Sequence, residues 1–413
     1  MPVPPQPDFR QPVALLAHVR HTLDFYDPRC VDASGGFFHF YRDDGQVYDR
    51  RQRHLVSSTR FIFNQAMAWR EFGERRHQDA MRHGLEFLRG AHRNPQTGGY
   101  AWLLDWHEGQ ARVLDGSNHA YGLAFVMLAY AHALMAGELH ARAWIDETWA
   151  LMEQRFWEPA ARLYADEASA DWRELSPYRG QNANMHACEA LLAAYEATGE
   201  QRYLHRAETL ARAITQRQAA LAGGLIWEHY RPDWSVDWDY NREDKSNIFR
   251  PWGYQPGHLT EWAKLLLIME RHAAHLAGPS DWLLPRAIEL FDAALQRSWD
   301  AEHGGMVYGF GLQGEVCDSD KYFWVQAESL AAAGLLALRT GEARFWDWYE
   351  RLWAYSWQHM IDHRHGAWFR ILRADNSAYS DEKSPAGKTD YHTMGACYEL
   401  VAAFRAASRE TGA

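Results

Sequence analysis

The chain has 413 residues, 47% of them hydrophobic and 14% aromatic, which supplies a large packed core and excludes a disordered or fibrous protein. Its formal net charge of -11 repels phosphate backbones and anionic lipid, so nucleic-acid and membrane partners are not expected and a neutral small molecule suits it better. Cys30, Cys188, Cys317 and Cys397 form no CxxC pair, no apolar run approaches the roughly 20 residues that cross a bilayer, and the opening MPVPPQPDFRQPV lacks the basic start and apolar core of a signal peptide, so the expected location is cytoplasmic.

Taken in chain order, Val13 to Phe25 supplies a first helix, followed by a glycine-aromatic turn, GGFFHFY at 35–41, and a low-charge helical stretch from Thr59 to Phe72. The same order recurs at steps of about sixty residues. GGYAWLLDW (98–106) precedes Asn118 to Met135, ARLYADE (161–167) precedes Asn184 to Thr198, and GGLIWEHY (223–230) precedes His258 to Glu270. GGMVYGF (304–310) then leads to Tyr322 to Leu338, and GAWFRIL (366–372) to Tyr391 to Ala406. Most low-charge stretches are followed by an amphipathic helix, such as Ala141 to Phe156 and Glu342 to Met360.

Six pairs of one nearly uncharged and one amphipathic helix describe an inner ring buried on all sides and an outer ring half exposed to water. The expected fold is therefore all-α, an (α/α)6 barrel of twelve helices with short β-hairpins on one rim. No Pro/Ser-rich linker or charge block interrupts it, so residues 1–413 read as a single catalytic domain, and the longest polar excursion, 231–257, is expected to loop over the barrel mouth.

Polar groups stand at the starts of these apolar stretches: Arg60; Asn118 and Tyr121; Asn182, Asn184, His186 and Glu189; His258 and Glu261; Trp324 and Glu328; Asp390, Tyr391 and His392. If the inner helices all point one way, these groups meet at one end of the barrel axis, and buried charge is rare unless paired or functional. His186 with Glu189, and His258 with Glu261, are three apart and share a helix face, a spacing that orients an imidazole by its carboxylate or ligates a metal. With no accompanying carboxylate cluster visible and many Trp and Tyr nearby, orientation is the expected role, and neither metal nor cofactor is expected. Trp102, Trp227, Trp252 and Trp324 are candidates to stack on a sugar face. His363 and His365 are expected in a solvated rim turn.

The stretches LVSSTRFIFNQA (55–66), GQNANMHACEALLAAYEATGE (180–200), YQPGHLTEWAKLLL (254–267), KYFWVQAESLAA (321–332) and SPAGKTDYHTMGACYEL (384–400) resemble the N-acylglucosamine 2-epimerase superfamily. The GHxxEWxxLLL form at 257–267 is similar to its branch of bacterial mannose and sulfoquinovose isomerases. The resemblance implies catalysis by His258 and His392, with Arg60, Tyr121, Asn182, His186, Glu261, Trp324 and Glu328 as substrate contacts. Glu189 and Asp390 join the candidate binding set by their position.

The implied chemistry is aldose-ketose isomerisation of a free monosaccharide. A C2 proton beside an aldehyde is weakly acidic, so its removal needs a base of near-neutral pKa and a cation for the enediolate oxygen. His392 and Arg60 fit those roles, and His258 is the candidate for opening the ring. Return of the proton to C1 yields a ketose and return to C2 from the opposite face yields an epimer; both remain open, as does the natural sugar. A glycoside hydrolase, with Glu261 and Glu328 flanking the bond, and a non-catalytic sugar-binding protein are the competing readings.

Overall fold

Six helices with almost no charge cannot face water, and in the structure they face one another. The computed structural model describes residues 3–244, 247 and 250–411. Among them, twelve long helices alternate between two rings. The outer helices are α1 (Pro12–Tyr26), α3 (Arg75–Phe87), α5 (Ala141–Arg155), α7 (Gln201–Arg212), α9 (Leu283–Ser298) and α11 (Ala343–Tyr355). The inner helices are α2 (Leu55–Phe72), α4 (Ala120–Met135), α6 (Gln181–Thr198), α8 (Pro256–Glu270), α10 (Phe323–Thr340) and α12 (Tyr391–Thr411).

Each inner helix packs on the next, and α12 returns to α2, which closes the ring. The fold is the (α/α)6 barrel that the repeats predict. Helix α4 contains no Asp, Glu, Lys or Arg and is buried on every side, whereas α7 buries only a stripe led by Tyr203, Leu204, Ala207 and Leu210. The remaining faces of α7 carry the charge, except for Glu208, which is buried and paired with Arg212. Helix α10 stops at Gly341, whose φ of 72° is the left-handed conformation that glycine adopts without a Cβ penalty.

The glycine-aromatic segments form the rim. Each makes short antiparallel ladders, and several of these join neighbouring repeats: Arg179–Gly180 pairs with His229–Tyr230, and Lys321–Tyr322 with Ile371–Leu372. Phe40–Arg42 pairs with Glu382–Ser384, stitching the first repeat to the last. The strands are two to six residues long, so the rim is laced rather than sheeted.

Two of the boundaries that differ from the periodicity have a local cause. Helix α2 begins at Leu55, four residues before the expected Thr59, because His54 Nδ1 accepts the Val56 N–H at 3.2 Å and caps the helix. The expected helix from Glu342 to Met360 is α-helical only to Tyr355, and Ser356–Met360 widens into a π turn.

Buried carboxamides tie the rim to the inner ring. Asn184 accepts the Tyr164 N–H at 2.8 Å and donates to the Tyr164 carbonyl at 3.0 Å; Gln326 does the same for Met306, at 2.9 and 2.8 Å. Asn118 accepts from Tyr100 N–H and donates to the Ser169 carbonyl. Asn118 and Asn184, which stand at helix starts as the active-site candidates do, thus serve as clamps. Asn184→Ala strands both polar groups of the Tyr164 peptide, and should lower the free energy of unfolding by roughly 1–3 kcal/mol in urea titrations. A change within the roughly 0.5 kcal/mol of an ordinary surface substitution would remove the clamp from the supports of the fold.

Candidate active site

Arg60, Tyr121, Asn182, His186, His258, Glu261, Trp324 and His392 all lie in the first two turns of their inner helices, and all line one cavity of about 390 Å³. Side chains from six helices meet there only because the six helices begin at the same rim. The volume is near the low end of the roughly 300–1,000 Å³ range of small-molecule sites.

The walls are aromatic. Trp102 lies between His54 and His119, with ring centroids at 4.5 and 4.0 Å, and Tyr308 stacks on Tyr322 at 3.7 Å. Trp102 and Trp324 face the cavity as expected of sugar-stacking residues. Trp227 and Trp252 do not: Trp227 is fully buried with its indole N–H on the Asp237 carbonyl, and Trp252 donates to the Trp238 carbonyl. From the expected mouth loop, Asn247, Arg250 and Pro251 reach the cavity, while residues 245, 246, 248 and 249 lie outside the described residues. His363 and His365, expected to be solvated, are half-buried against the Trp357 carbonyl and Asp362.

Two imidazoles share one indole. Trp324 packs against His258 at 4.9 Å and His392 at 5.8 Å between centroids. Gly257 makes room for it, since a Cβ there would meet the indole ring at 2.4 Å. His392 Nδ1 lies 2.6 Å from Glu328 Oε1, and His258 Nδ1 lies 2.9 Å from Glu228 Oε2. A carboxylate only accepts, so in both rings a hydrogen sits on Nδ1. His392 Nε2 is 3.3 Å from Arg60 Nη2. Burial, reinforced by the Arg60 charge, holds His392 well below the usual imidazole range and not near neutrality as expected of the base, so at neutral pH it is uncharged.

The rule that spacing of three pairs a histidine with its own helix holds for His186, whose Nδ1 is 2.9 Å from Glu189 Oε2. It fails for His258. Its partner is Glu228, in the GGLIWEHY segment of the rim, and Glu228 Oε2 also accepts from Gln181 Nε2 at 2.9 Å. Both oxygens of Glu261 are buried without a hydrogen bond among the described residues. Burial, with Glu328 adding to it, raises its acid well above the ordinary range, so Glu261 is a neutral carboxyl on the cavity wall.

Glu189, Glu328 and Asp390, expected among the substrate contacts, are not among the lining residues. Glu189 binds His186 and accepts from the Tyr391 hydroxyl at 2.5 Å; Glu328 sits behind His392. Asp390 is fully buried, accepts from Tyr26 at 2.6 Å and Thr393 at 3.0 Å, and pairs with Lys388. Its position beside His392 in sequence puts it at the turn before α12, not in the cavity.

The folded chain also assembles a carboxylate cluster that the sequence does not display, because its members come from α6, α8 and α10. Ligand atoms of His186, Glu189 and Glu261 lie within 4.8 Å of one another, as do those of Glu261, Glu328 and His392. The cation among them is built in: Lys264 Nζ is 2.5 Å from Glu328 and 3.9 Å from both Glu189 and Glu261. Lys264, Glu228 and Asp166 went unnoticed in the sequence. Asp166 lines the cavity, accepts the Gly180 N–H at 2.6 Å, and is pushed up to about 7 by burial.

The N-acylglucosamine 2-epimerase family model matches residues 36–396. A D-mannose isomerase of Marinomonas mediterranea is 53% identical over 396 residues, 96% of this chain and 98% of that protein. A crystal structure of D-mannose isomerase superposes with a TM-score of 0.92 at 53% identity, covering 96% of this chain and 100% of the other. A cellobiose 2-epimerase from Spirochaeta thermophila shares the fold, with a TM-score of 0.84 at 22% identity over 96% of this chain and 98% of its own.

Glu228→Gln should lower kcat by more than about tenfold, because an amide that no longer holds Nδ1–H releases His258 into the wrong tautomer. Steady-state kinetics on the purified variant checks this, and an unchanged kcat would detach Glu228 from the reaction.

Proposed function

The chain belongs to the N-acylglucosamine 2-epimerase family, and on that premise we propose that it is an aldose-ketose isomerase that converts D-mannose to D-fructose by moving a proton through a cis-enediol. The observation that carries the chemistry is the 3.3 Å contact between His392 Nε2 and Arg60. It sets an uncharged base beside a fixed cation on the cavity wall, the pair that enolisation requires. The substrate comes from the D-mannose isomerase relatives.

In this reading the sugar ring opens first. His258, aligned by Glu228, takes the proton from the O1 hydroxyl, and an acid returns one to O5; Glu261, neutral and unpartnered, is positioned as a donor to the sugar. His392 Nε2 then removes the C2 proton. The electron pair of that bond forms C1=C2 while the carbonyl π pair moves onto O1, whose charge Arg60 holds. The O2 proton passes to O1 as C2 becomes a carbonyl, and the C1=C2 electron pair takes the proton from the imidazolium at C1, giving the ketose. Tyr121, Asn182, His186 and Trp324 line the remaining surface and hold the open chain.

Cleavage of a glycosidic bond fits this geometry less well. The two carboxyls nominated for it, Glu261 and Glu328, have oxygens within 4.8 Å on one side of the site, and Glu328 is screened by His392. We further propose that the reaction runs without a divalent metal, since Lys264 already neutralises the carboxylates, and that the whole chain acts as one domain in the cytoplasm. Among the described residues no helix is long and apolar enough to cross a membrane.

His392→Ala should cost roughly 10²- to 10⁴-fold in kcat, the usual worth of a positioned acid-base group, with the fold retained by circular dichroism. Retention of more than about a tenth of the wild-type rate would sink its assignment as the base. In D2O, fructose formed from mannose should carry solvent deuterium at C1, and activity should survive exhaustive chelation. Complete retention of substrate hydrogen, together with loss of activity on chelation restored by Mn²⁺, would replace the enediol by a metal-assisted hydride shift.

A further inference from the structure

Lys264 does not line the cavity, yet it lies at the centre of the charged groups beneath it. Its ammonium is 2.5 Å from Glu328 Oε2, and the other oxygen of that carboxylate is 2.6 Å from His392 Nδ1. Glu189 and Glu261 each approach Lys264 to 3.9 Å. The groups facing Glu328 are thus Lys264 and Glu261 from α8, His186 and Glu189 from α6, and His392 from α12, with Arg60 of α2 beyond the imidazole. All are buried except Glu189, which is slightly open.

Two physical facts bear on this arrangement. A buried carboxylate is stable as an anion only with a charged or hydrogen-bonded partner, and Glu189, Glu261 and Glu328 compete for one ammonium. Of the three, Glu328 holds the closest contact. A histidine can act as a base at Nε2 only while an acceptor keeps the hydrogen on Nδ1, and that acceptor is Glu328.

We propose that Lys264 is a positioning residue for proton abstraction: it keeps Glu328 ionised and oriented, and through Glu328 it fixes the tautomer and direction of His392. The inference rests on the isomerase reading above. Without the ammonium, Glu328 shares a proton with its acidic neighbours and ceases to be a pure acceptor. His392 is then free to turn or to carry its hydrogen on Nε2, and the step that suffers is removal of the C2 proton. Substrate binding, made by groups on the cavity wall, is left largely intact.

The test uses the full-length enzyme and three variants. Lys264→Met removes the charge, Lys264→Gln removes the charge but keeps an N–H donor, and Lys264→Arg restores it. Both uncharged variants should lose about 100-fold or more in kcat with KM changed far less, and the kinetic isotope effect with [2-²H]mannose should rise as C2 proton removal becomes limiting. The arginine variant should recover a large part of the rate. Circular dichroism identifies the folded variants, and failure of the methionine variant to fold leaves the glutamine variant to report. A folded, uncharged variant with near wild-type kcat, a loss confined to KM, an unchanged isotope effect, or an arginine variant as slow as the uncharged ones would overturn the proposal. Wild-type protein that makes no fructose from mannose would instead sink the isomerase reading.

Discussion

The constraint on which the site depends is charge balance among side chains largely withdrawn from water. Arg60, Lys264, Glu189, Glu261 and Glu328 are carried by inner helices, and all five are buried or nearly so. Two cations face three acids, so the cluster is neutral if one acid keeps its proton. Geometry selects which: Glu189 accepts from Tyr391 and His186, Glu328 from Lys264 and His392, and Glu261 accepts from nothing among the described residues. The acid without partners is the one that burial raises furthest from its ordinary range. Electroneutrality thus produces a donor carboxyl, two anchored histidines and a reserved guanidinium together.

The same exclusion of water explains why polar inner-ring residues divide into two kinds. A carboxamide such as Asn184 or Gln326 reaches outward and satisfies a peptide of the rim, and so supports the fold. An imidazole or guanidinium on the cavity-facing side of the same ring is held by a second buried group and leaves one nitrogen toward the cavity. Both kinds stand at helix starts, where the ring meets its rim. Position in the repeat separates neither; direction of the side chain does.

This is also where sequence reasoning reached its limit. The low-charge stretches and glycine-aromatic turns recur with a period that only an (α/α)6 ring satisfies, so the fold and the convergence of Arg60, Tyr121, Asn182, His258, Trp324 and His392 were legible. Partnerships across repeats were not. The i, i+3 rule correctly joins His186 to Glu189 but assigns Glu261 to His258, whereas Glu228 arrives from a rim segment thirty positions earlier. A lone carboxylate in the apolar run GGLIWEHY was the available signal for it. Lys264 left a comparable trace, as the one lysine of a mostly apolar helix, three residues after Glu261. Asp390 misled because its place at the start of an inner helix does not show that its carboxylate is taken up by Tyr26, Thr393 and Lys388.

Cations at the cavity wall bear on what kind of substrate the site serves. Arg250 is paired with Glu167, Arg370 with Glu382 and Lys388 with Asp390. Each of these charges is already cancelled, so they offer little net attraction to a phosphate or sulfonate on the far end of a sugar. Arg60 differs: among the described residues it has no carboxylate partner, and its guanidinium is held by the Gly387 carbonyl, the Tyr121 hydroxyl and the faces of Phe125 and Tyr391. A guanidinium held only by neutral groups forms no direct ion pair in the ground state. The charge that best matches it is one that appears beside His392 during the reaction, as the enediolate does, which is the condition for stabilising a transition state more than a substrate.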